Sequence, residues 1–236
     1  MKQKLYFRQL LAGRDFATHD ASARAMENFV YLIGDREKGE CVVVDPAWDI
    51  RGIIAMAAAD HMKICGALAT HYHPDHVGGH MFGMDIEGLK ELMAFNPCPI
   101  HAHKLEKDGI IRVTHLSDSD IIAHESGDKV KVGDIEIELL HTPGHTPGSL
   151  CFRLKNTLIS GDTLFLQGCG RVDLPGGNVD EMYRTIHERL NTIDNQTIIY
   201  PGHAYGGEHD TMNNVRLHNA VFHFHDMRSF RRMFGM

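Results

Sequence analysis

Runs of apolar residues separated by polar turns predict strands and helices mixed along the whole chain. The predicted strands are 5–11, 28–33, 41–45, 64–69, 130–132, 135–139, 150–154, 157–159 and 197–200. Apolar residues at helical spacing predict helices at 49–62, 87–95, from about 104, at 179–190 and at about 212–234. Because no repeat or linker divides this succession, we expect one α/β (or α+β) domain over residues 1–236.

Composition and charge narrow the class of protein. The chain has 236 residues, of which 43% are hydrophobic and 23% are charged, as in ordinary globular proteins. Its net charge of −7 argues against nucleic acid as a partner. No apolar run approaches the ~18 residues of a membrane span, and the N-terminal segment becomes polar too soon for a signal peptide. We therefore expect a cytoplasmic protein without a membrane partner.

Histidine is present in unusual number, with 18 in the chain. Imidazole is the side chain that proteins use most often to hold transition metals. The five cysteines form no C-x-x-C pair, which argues against a disulfide framework and against a cysteine zinc site. A metal centre in this chain must therefore be sought among histidines and carboxylates.

The segment 70–76, T-H-Y-H-P-D-H, concentrates such residues directly after a predicted strand. His71 and His73 are two residues apart, so on extended backbone both side chains point to the same side. Asp75 and His76 follow in a tight turn and add a carboxylate and a third imidazole. The pattern H-x-H-x-D-H is expected by chance about 0.01 times in a chain with 18 histidines, so it predicts a metal site.

Three later segments share one form, in which an apolar strand ends in a polar residue beside glycine. They are 139–148, 158–163 and 198–203, and they carry His145, Asp162 and His203. Strand ends with glycine are where α/β proteins place ligand sites. Together with 70–76 they supply enough histidines and aspartates for two adjacent ions of zinc, iron or manganese. Two such ions would ionise a bound water near pH 7, which indicates hydrolysis of an ester-like carbonyl.

Five motifs, at 44–46, 71–76, 142–149, 160–165 and 200–203, together resemble those of the metallo-β-lactamase-fold hydrolases. Within that family the chain is most similar to the glyoxalase II (hydroxyacylglutathione hydrolase) branch. The resemblance implies a four-layer αββα sandwich with the metal centre at one edge of its two sheets. It also implies an enzyme that uses two divalent metal ions to hydrolyse a thioester. Zinc is the expected metal, with iron or manganese as alternatives.

The resemblance also implies a role for individual residues. The ligands of one ion would be His71, His73 and His145. Those of the other would be Asp75, His76 and His203, with Asp162 bridging the two ions.

Other matching positions imply supporting roles. Asp75 would also act in catalysis by orienting the attacking hydroxide. Asp45 would steady the segment 70–76, called the histidine loop below, through hydrogen bonds. Arg171 and Tyr205 match residues of the branch that contact glutathione. An alternative for Arg171 is a surface ion pair with Asp173, and an alternative for Tyr205 is a packing role.

The chain also departs from glyoxalase II proper. Asp173 stands where that branch has a second tyrosine, and 33 residues follow His203 in place of a long helical domain. The stretch between His76 and His145 is longer, and we expect a helical insertion there at about 83–110. These differences leave glutathione itself open as the thiol carrier, with coenzyme A or a carrier protein as alternatives.

Other functions compete with the hydrolase. The glycine-rich segment 168–173 also resembles that of the persulfide dioxygenases, which bind a single iron; the ligands would be His71, His145 and Asp162. A tRNA-processing nuclease of the same fold is disfavoured by the negative charge. A metal buffer or scaffold would use the C-terminal histidines, which are His218, His223 and His225. The sequence leaves the acyl group and the oligomeric state open.

Overall fold

The structure, a computed structural model, describes residues 4–236, so residues 1–3 of the predicted domain lie outside the described residues. The strands are β1 (Leu5–Leu11), β2 (Phe29–Asp35), β3 (Glu40–Val44), β4 (Lys63–Leu68), β5 (Gly79–Met81), β6 (Met84–Ile86), β7 (Ile100–His103), β8 (Ile121–His124), β9 (Lys129–Val132), β10 (Ile135–His141), β11 (Leu150–Leu154), β12 (Thr157–Gly161), β13 (Ile198–Pro201) and β14 (Asp210–Thr211). The α-helices are α1 (Ala21–Met26), α2 (Ile50–Ala59), α3 (Pro74–Val77), α4 (Leu89–Phe95), α5 (Lys107–Thr114), α6 (Val179–Arg184), α7 (Met212–His218) and α8 (Met227–Met233).

Two six-stranded sheets form the centre of the molecule. The first has the order β1-β2-β3-β4-β7-β8, and the second has the order β14-β13-β12-β11-β10-β9. In the first sheet β3, β4, β7 and β8 run parallel, and in the second β12 and β13 run parallel. Strands β5 and β6 form a separate antiparallel hairpin. The mixture of parallel strands and helices confirms the predicted α/β class.

Alternation along the strands explains why the sheets stack. In β2, Phe29, Tyr31 and Ile33 pack into the core between the two sheets, whereas Val30 and Leu32 pack on the opposite face. This follows from the two-residue period of side chains along a strand. A strand that is apolar on both faces must be covered on both sides, so each sheet needs helices on its outer face.

The helices supply those outer layers. Ile53 of α2, Leu92 of α4 and Ile110 of α5 belong to the core on the outer face of the first sheet. Met182 of α6 and Phe230 of α8 belong to the core on the outer face of the second sheet. The order of layers is therefore helix, sheet, sheet, helix, as the resemblance predicted. No helix within residues 4–236 is long and apolar enough to cross a membrane.

The prediction of one C-terminal helix over about 212–234 is wrong. The structure has α7, a 3₁₀ turn at Ala220–His223 and α8 in its place. The break falls at Asn219, whose backbone is extended and whose side-chain amide donates to the carbonyl oxygens of Phe165 (3.0 Å) and Gly168 (2.8 Å). These tertiary hydrogen bonds outweigh the helical spacing of the apolar residues.

The predicted helical insertion at about 83–110 is only partly helical. It contains α4 and the beginning of α5, but also β6 and the whole of β7, which pairs in parallel with β4 and β8. The sequence of β7, Ile-His-Ala-His, buries Ile100 and Ala102 in the outer core of the first sheet. The alternation is therefore present in the sequence, but histidines occupy its second face.

Candidate metal centre

The ends of four strands bring the predicted ligands to one edge of the sandwich. Segments that follow β4, β10, β12 and β13 carry them, and hydrogen bonds join the two sheets there. Phe29 N donates to Gly202 O (2.8 Å), and Leu150 N donates to Thr70 O (2.9 Å). Six of the seven predicted ligands are buried and His73 is half-buried; the seven are His71, His73, Asp75, His76, His145, Asp162 and His203.

A first group of ligand atoms comes from three histidines. His73 Nδ1 lies 3.1 Å from His71 Nε2 and 3.0 Å from His145 Nε2. Ligands about 2.0–2.1 Å from one tetrahedral metal ion lie roughly 3.3 Å apart. The three nitrogens are therefore spaced as ligands of a common ion.

A second group lies beside the first. His76 Nε2 and His203 Nε2 are 3.2 Å apart, and each lies 3.4 Å from Asp75 Oδ2. Both groups meet the geometric requirement for a metal site. The histidine loop thus contributes to both groups, because His71 and His73 enter the first and Asp75 and His76 enter the second.

Asp162 lies between the two groups. Its Oδ1 is 3.3 Å from His76 Nε2, and its Oδ2 is 3.3 Å from His203 Nε2 and 3.7 Å from His145 Nε2. Within residues 4–236, Asp162 Oδ1 is buried without a hydrogen-bond partner. A buried carboxylate oxygen without a partner is costly unless a cation or a water satisfies it.

Backbone carbonyl groups fix the tautomers of two of the histidines. His145 Nδ1 donates to Arg171 O (2.7 Å), and His203 Nδ1 donates to Met26 O (2.7 Å). Because a carbonyl oxygen only accepts hydrogen bonds, both Nδ1 atoms carry the proton. Their Nε2 lone pairs therefore point into the centre, as they do in metal-ligating histidines.

Asp45 fixes the tautomers of two more. It accepts hydrogen bonds from Thr70 N (2.7 Å), Thr70 Oγ1 (2.6 Å) and His76 Nδ1 (3.0 Å). Since Thr70 Oγ1 donates to Asp45, it accepts from His71 Nδ1 at 2.9 Å. The Nε2 lone pairs of His71 and His76 are thereby directed at the centre, and the hydrogen bonds of Asp45 join it to the segment 70–76.

The facing lone pairs show that the residues fit a metal cation. Nitrogen lone pairs 3.0–3.2 Å apart repel one another unless a proton or a cation lies between them. Imidazole and carboxylate without thiolate suit zinc, iron and manganese. Chain residues alone therefore supply a donor set for divalent ions.

Burial and charge act together on the ligands. Burial lowers the pKa of His71 well below its ordinary value and lowers the pKa of His73 to about 4, so both rings are neutral near pH 7. Burial opposes the charge of Asp162, yet His203 and His76 hold the pKa of its carboxyl well below its usual range. Burial likewise opposes the charge of His76 and His203, yet Asp162 raises the pKa of both rings. The first group therefore offers neutral imidazoles, whereas the imidazoles of the second group share their charge with the ionised carboxylate of Asp162.

Asn28 supports the second group and was missed from the sequence. Its side-chain amide donates to Asp75 Oδ2 (3.0 Å) and lies 3.4 Å from His76 Nε2. Trp48 Nε1 donates to Asn28 Oδ1 (3.0 Å), which fixes the orientation of the amide. The only signal in the sequence was a polar residue at the beginning of an apolar strand.

Glu106, also missed, ties together the two loops that form the first group. Its fully buried carboxylate accepts from Tyr72 N (2.8 Å) in the histidine loop, and from Thr146 Oγ1 (2.8 Å) and Gly148 N (2.6 Å) in the loop of His145. Burial raises the pKa of the Glu106 carboxyl, against these hydrogen bonds. No motif marks this residue in the sequence.

A cavity of about 490 Å³ opens beside the centre, and Asp75, Asp162 and His203 contribute to its lining. Apolar side chains form much of the remaining lining, among them Met81, Phe82, Phe165 and Leu174. A larger and more open groove, of about 850 Å³, includes residues of α1 and α2 but none of the seven predicted ligands. The predicted metal ligands are therefore reached through the smaller cavity.

Arg171 and Tyr205 both line this cavity. The guanidinium of Arg171 donates twice to Asp173 (2.9 and 2.7 Å), which is the surface ion pair considered above. The Tyr205 ring stacks on the His203 ring, with centroids 4.7 Å apart and planes at 8°, and its hydroxyl donates to Met26 O (3.3 Å). The role of both residues in substrate binding stays a prediction.

The C-terminal histidines lie apart from the centre. His218 Nδ1 donates to Asn214 O (2.9 Å), and His223 Nε2 donates to Arg216 O (3.0 Å). Within residues 4–236, neither they nor His225 join any three-residue group with metal-binding geometry. The structure gives no support to a metal buffer there.

The chain is similar in sequence to known proteins. Hydroxyacylglutathione hydrolase of Polaromonas sp. is 36% identical over 188 residues, which cover 78% of this chain and 65% of that protein. The mitochondrial persulfide dioxygenase of Homo sapiens is 30% identical over 184 residues, which cover 76% of this chain and 65% of that protein. The chain therefore spans just under two thirds of the length of these two relatives.

A solved structure and a family profile agree with the fold. The metallo-beta-lactamase from Staphylococcus aureus subsp. aureus COL superposes with a TM-score of 0.80 at 24% identity, over 98% of this chain and 67% of that chain. The profile of the metallo-beta-lactamase superfamily matches residues 24–203, which include all seven predicted ligands. The chain belongs to the metallo-beta-lactamase superfamily.

Proposed function

We propose that this protein is a hydrolase that uses two divalent metal ions to cleave a thioester or a related activated acyl substrate. The observation that carries the proposal is the pair of ligand groups on either side of Asp162, with histidine lone pairs directed inward by Asp45 and by backbone carbonyls. A carboxylate between two adjacent groups is the arrangement expected of a two-metal site.

Each residue has a definite task in this proposal. The first ion would be held by His71, His73 and His145, and the second by Asp75, His76 and His203, with Asp162 shared. Bound ions would bring the pKa of a water ligand towards 7 and stabilise negative charge on a substrate oxygen. We propose zinc, with iron or manganese as alternatives, since the ligands suit all three.

Asp75 is the proposed catalytic residue. It lines the cavity, and the amide of Asn28 holds its Oδ2 in place. By accepting a hydrogen bond from the attacking water, Asp75 would orient its oxygen towards the carbonyl carbon. The water oxygen then bonds to that carbon, the carbon–sulfur bond breaks, and the sulfur leaves with a proton as the free thiol.

Residues of the cavity wall would contact the substrate. Tyr205 and Arg171 would contact the thiol half, as the similarity to hydroxyacylglutathione hydrolase supports. Asp173 already neutralises Arg171, which weakens the argument for glutathione and favours a wider range of carriers, including coenzyme A and carrier proteins. The substrate class is therefore acyl thioesters in general.

A persulfide dioxygenase with one iron is the second candidate. One observation favours it beside the similarity to the human enzyme. The Asn28 amide lies 3.4 Å from His76 Nε2 and 3.5 Å from His203 Nε2, so a donor faces the lone pairs that a second ion would need. A single iron held by His71, His145 and Asp162 would keep positions open for oxygen.

Two assays separate these candidates. Protein loaded with zinc is given a panel of acyl thioesters, and protein loaded with iron is given glutathione persulfide while oxygen uptake is followed. We expect thiol release that His73→Ala reduces at least 100-fold and that the exposed His218→Ala leaves unchanged. Oxygen uptake without hydrolysis of any thioester would instead support the dioxygenase.

A further inference from the structure

Arg112 lines the cavity beside the proposed active site. Its helix, α5, packs on Tyr72 so closely that a Cβ on Gly109 would lie 2.6 Å from Tyr72 Cγ. Arg112 lies three residues further along the same face, and its guanidinium carbon is 5.4 Å from the centre of the Tyr72 ring. Tyr72 in turn donates its hydroxyl to the backbone carbonyl of Pro175 (2.6 Å), another residue of the cavity lining. The Tyr72 ring and the Arg112 cation therefore lie beside each other at the cavity wall.

Of the cationic side chains in that wall, Arg112 is the one without a carboxylate partner among the described residues. Among the described residues, the lining includes the two arginines Arg112 and Arg171 and no lysine. Arg171 makes a bidentate ion pair with Asp173. Within residues 4–236, no carboxylate oxygen lies within 4.0 Å of a nitrogen of Arg112. An exposed guanidinium without a carboxylate partner is ready to bind an anion.

The hairpin β5–β6 adds an apolar edge to the same wall. Met81 and Phe82 of this hairpin line the cavity, and Phe82 is 82% exposed. Phe82 (φ 51°) and Gly83 (φ 80°) both have left-handed backbone at the tip of the hairpin. A bulky residue in this conformation costs free energy, so the turn holds an apolar ring at the cavity at some expense of stability.

We propose that the cavity selects acyl thioesters that carry a negatively charged group away from the reacting carbonyl, and that Arg112 binds this group. This inference rests on the proposed hydrolase function and adds the charge of the substrate to it. Arg112 would bind a carboxylate or a phosphate through its planar donor pair. The hairpin would cover the uncharged part of the substrate beside it.

The charged group of the substrate can lie on the thiol half or on the acyl half of the thioester. Two pairs of uncleavable ketone analogues distinguish these two positions. The phenacyl thioethers of 3-mercaptopropionate and 3-mercaptopropionamide place it on the sulfur side. The compound 5-(benzylthio)-4-oxopentanoate and its amide place it on the carbonyl side. Within each pair only the charge differs, and calorimetry on the metal-loaded protein measures binding without any turnover.

We expect the carboxylate of one pair to bind about three to ten times more tightly than its amide. Arg112→Gln should abolish this preference and Arg112→Lys should keep part of it. Arg51→Gln is the matched control, because Arg51 also stacks on an aromatic ring, that of Phe95 at 4.0 Å, but does not line the cavity. Asp173→Asn should increase the preference by releasing Arg171.

Two results would overturn the role of Arg112: no preference in either pair, or a preference that Arg112→Gln leaves unchanged. Turnover of the corresponding thioesters, followed by thiol release, tests the hydrolase separately. Binding that depends on Arg112 without any thioester hydrolysis would reject the proposed function while keeping the anion site. Hydrolysis without discrimination by charge would keep the function and reject the site.

Discussion

Single polar side chains at this centre act through hydrogen bonds to distant parts of the chain. Asp45 receives its hydrogen bonds from residues 25 and 31 positions away, and Asn28 reaches Asp75 across 47 positions. Asp45 belongs to the motif at 44–46 and was assigned a role through the resemblance, whereas Asn28 belongs to none of the five motifs, since its partner is chosen by the fold. The ligands were predictable because they cluster in motifs at strand ends, whereas Asn28 and Glu106 were not.

Glu106 gives the first prediction at this scale. Glu106→Ala leaves Tyr72 N and Gly148 N without an acceptor and unties the two loops that form the first ligand group. We expect the free energy of unfolding of the metal-loaded protein to fall by about 2–4 kcal/mol in urea titration. The control Glu125→Ala removes an exposed carboxylate paired with Lys104 and should change it by less than about 1 kcal/mol. Equal effects of the two substitutions would contradict the role of Glu106.

Asn28 gives the second prediction, which distinguishes a centre that binds two ions from a centre that binds one. If its amide steadies Asp75 as a ligand, Asn28→Ala should weaken binding of the second ion about tenfold and leave the first unchanged. Calorimetric titration of the metal-free protein with zinc measures both sites. If the substitution strengthened binding of the second ion, the amide would be competing with that ion, as the single-iron alternative requires.

At the scale of elements, strands were predicted better than the segments between them. All nine predicted strands are present with bounds within two residues, because each is either a short apolar run or an apolar alternation bounded by polar turns. Strand β7 escaped prediction since histidines fill one of its faces. The C-terminal helix was predicted as continuous because its spacing is helical, and only the fold reveals that Asn219 binds the loop of Phe165 and Gly168.

The close approach of β12 and β13 gives the third prediction. Their parallel pairing brings Asp162 and His203 together, and a Cβ on Gly202 would lie 2.3 Å from Asp162 Oδ1. Gly202→Ala should therefore displace the shared carboxylate and lower metal affinity and hydrolysis at least tenfold. Gly127→Ala lies in an exposed turn with no atom within 4 Å of the added Cβ, so it should keep both, although its left-handed backbone (φ 90°) costs some stability. Normal metal content in Gly202→Ala would show that Asp162 is not needed as a bridge.

At the scale of the whole molecule, the centre joins the two sheets. The histidine loop follows β4 of the first sheet, whereas His145, Asp162 and His203 follow strands of the second. Ions that bind both sides favour the folded state over the unfolded one. The resemblance predicted this architecture, but the cavity wall with Arg112 and the β5–β6 hairpin depends on packing that no motif records.

This linkage gives the fourth prediction. At each of the two sites, free zinc at 100 times its dissociation constant adds about 2.7 kcal/mol of stability, and one occupied site alone raises Tm by roughly 5–11 °C for a chain of this size. Thermal unfolding with a chelator and with increasing free zinc measures the shift. Asp162→Ala should reduce it, and His218→Ala should not. A wild-type Tm that does not change with zinc would contradict a centre shared by the two sheets.

The central claim is that the folded chain holds two divalent ions. The most direct measurement is metal content per chain, by plasma mass spectrometry, of protein purified after growth with zinc, iron and manganese supplied together. We expect close to two ions per chain, with zinc predominant, and a loss of ions in Asp162→Ala. Close to one ion per chain, with iron in place of zinc, would contradict the two-metal hydrolase and favour the persulfide dioxygenase.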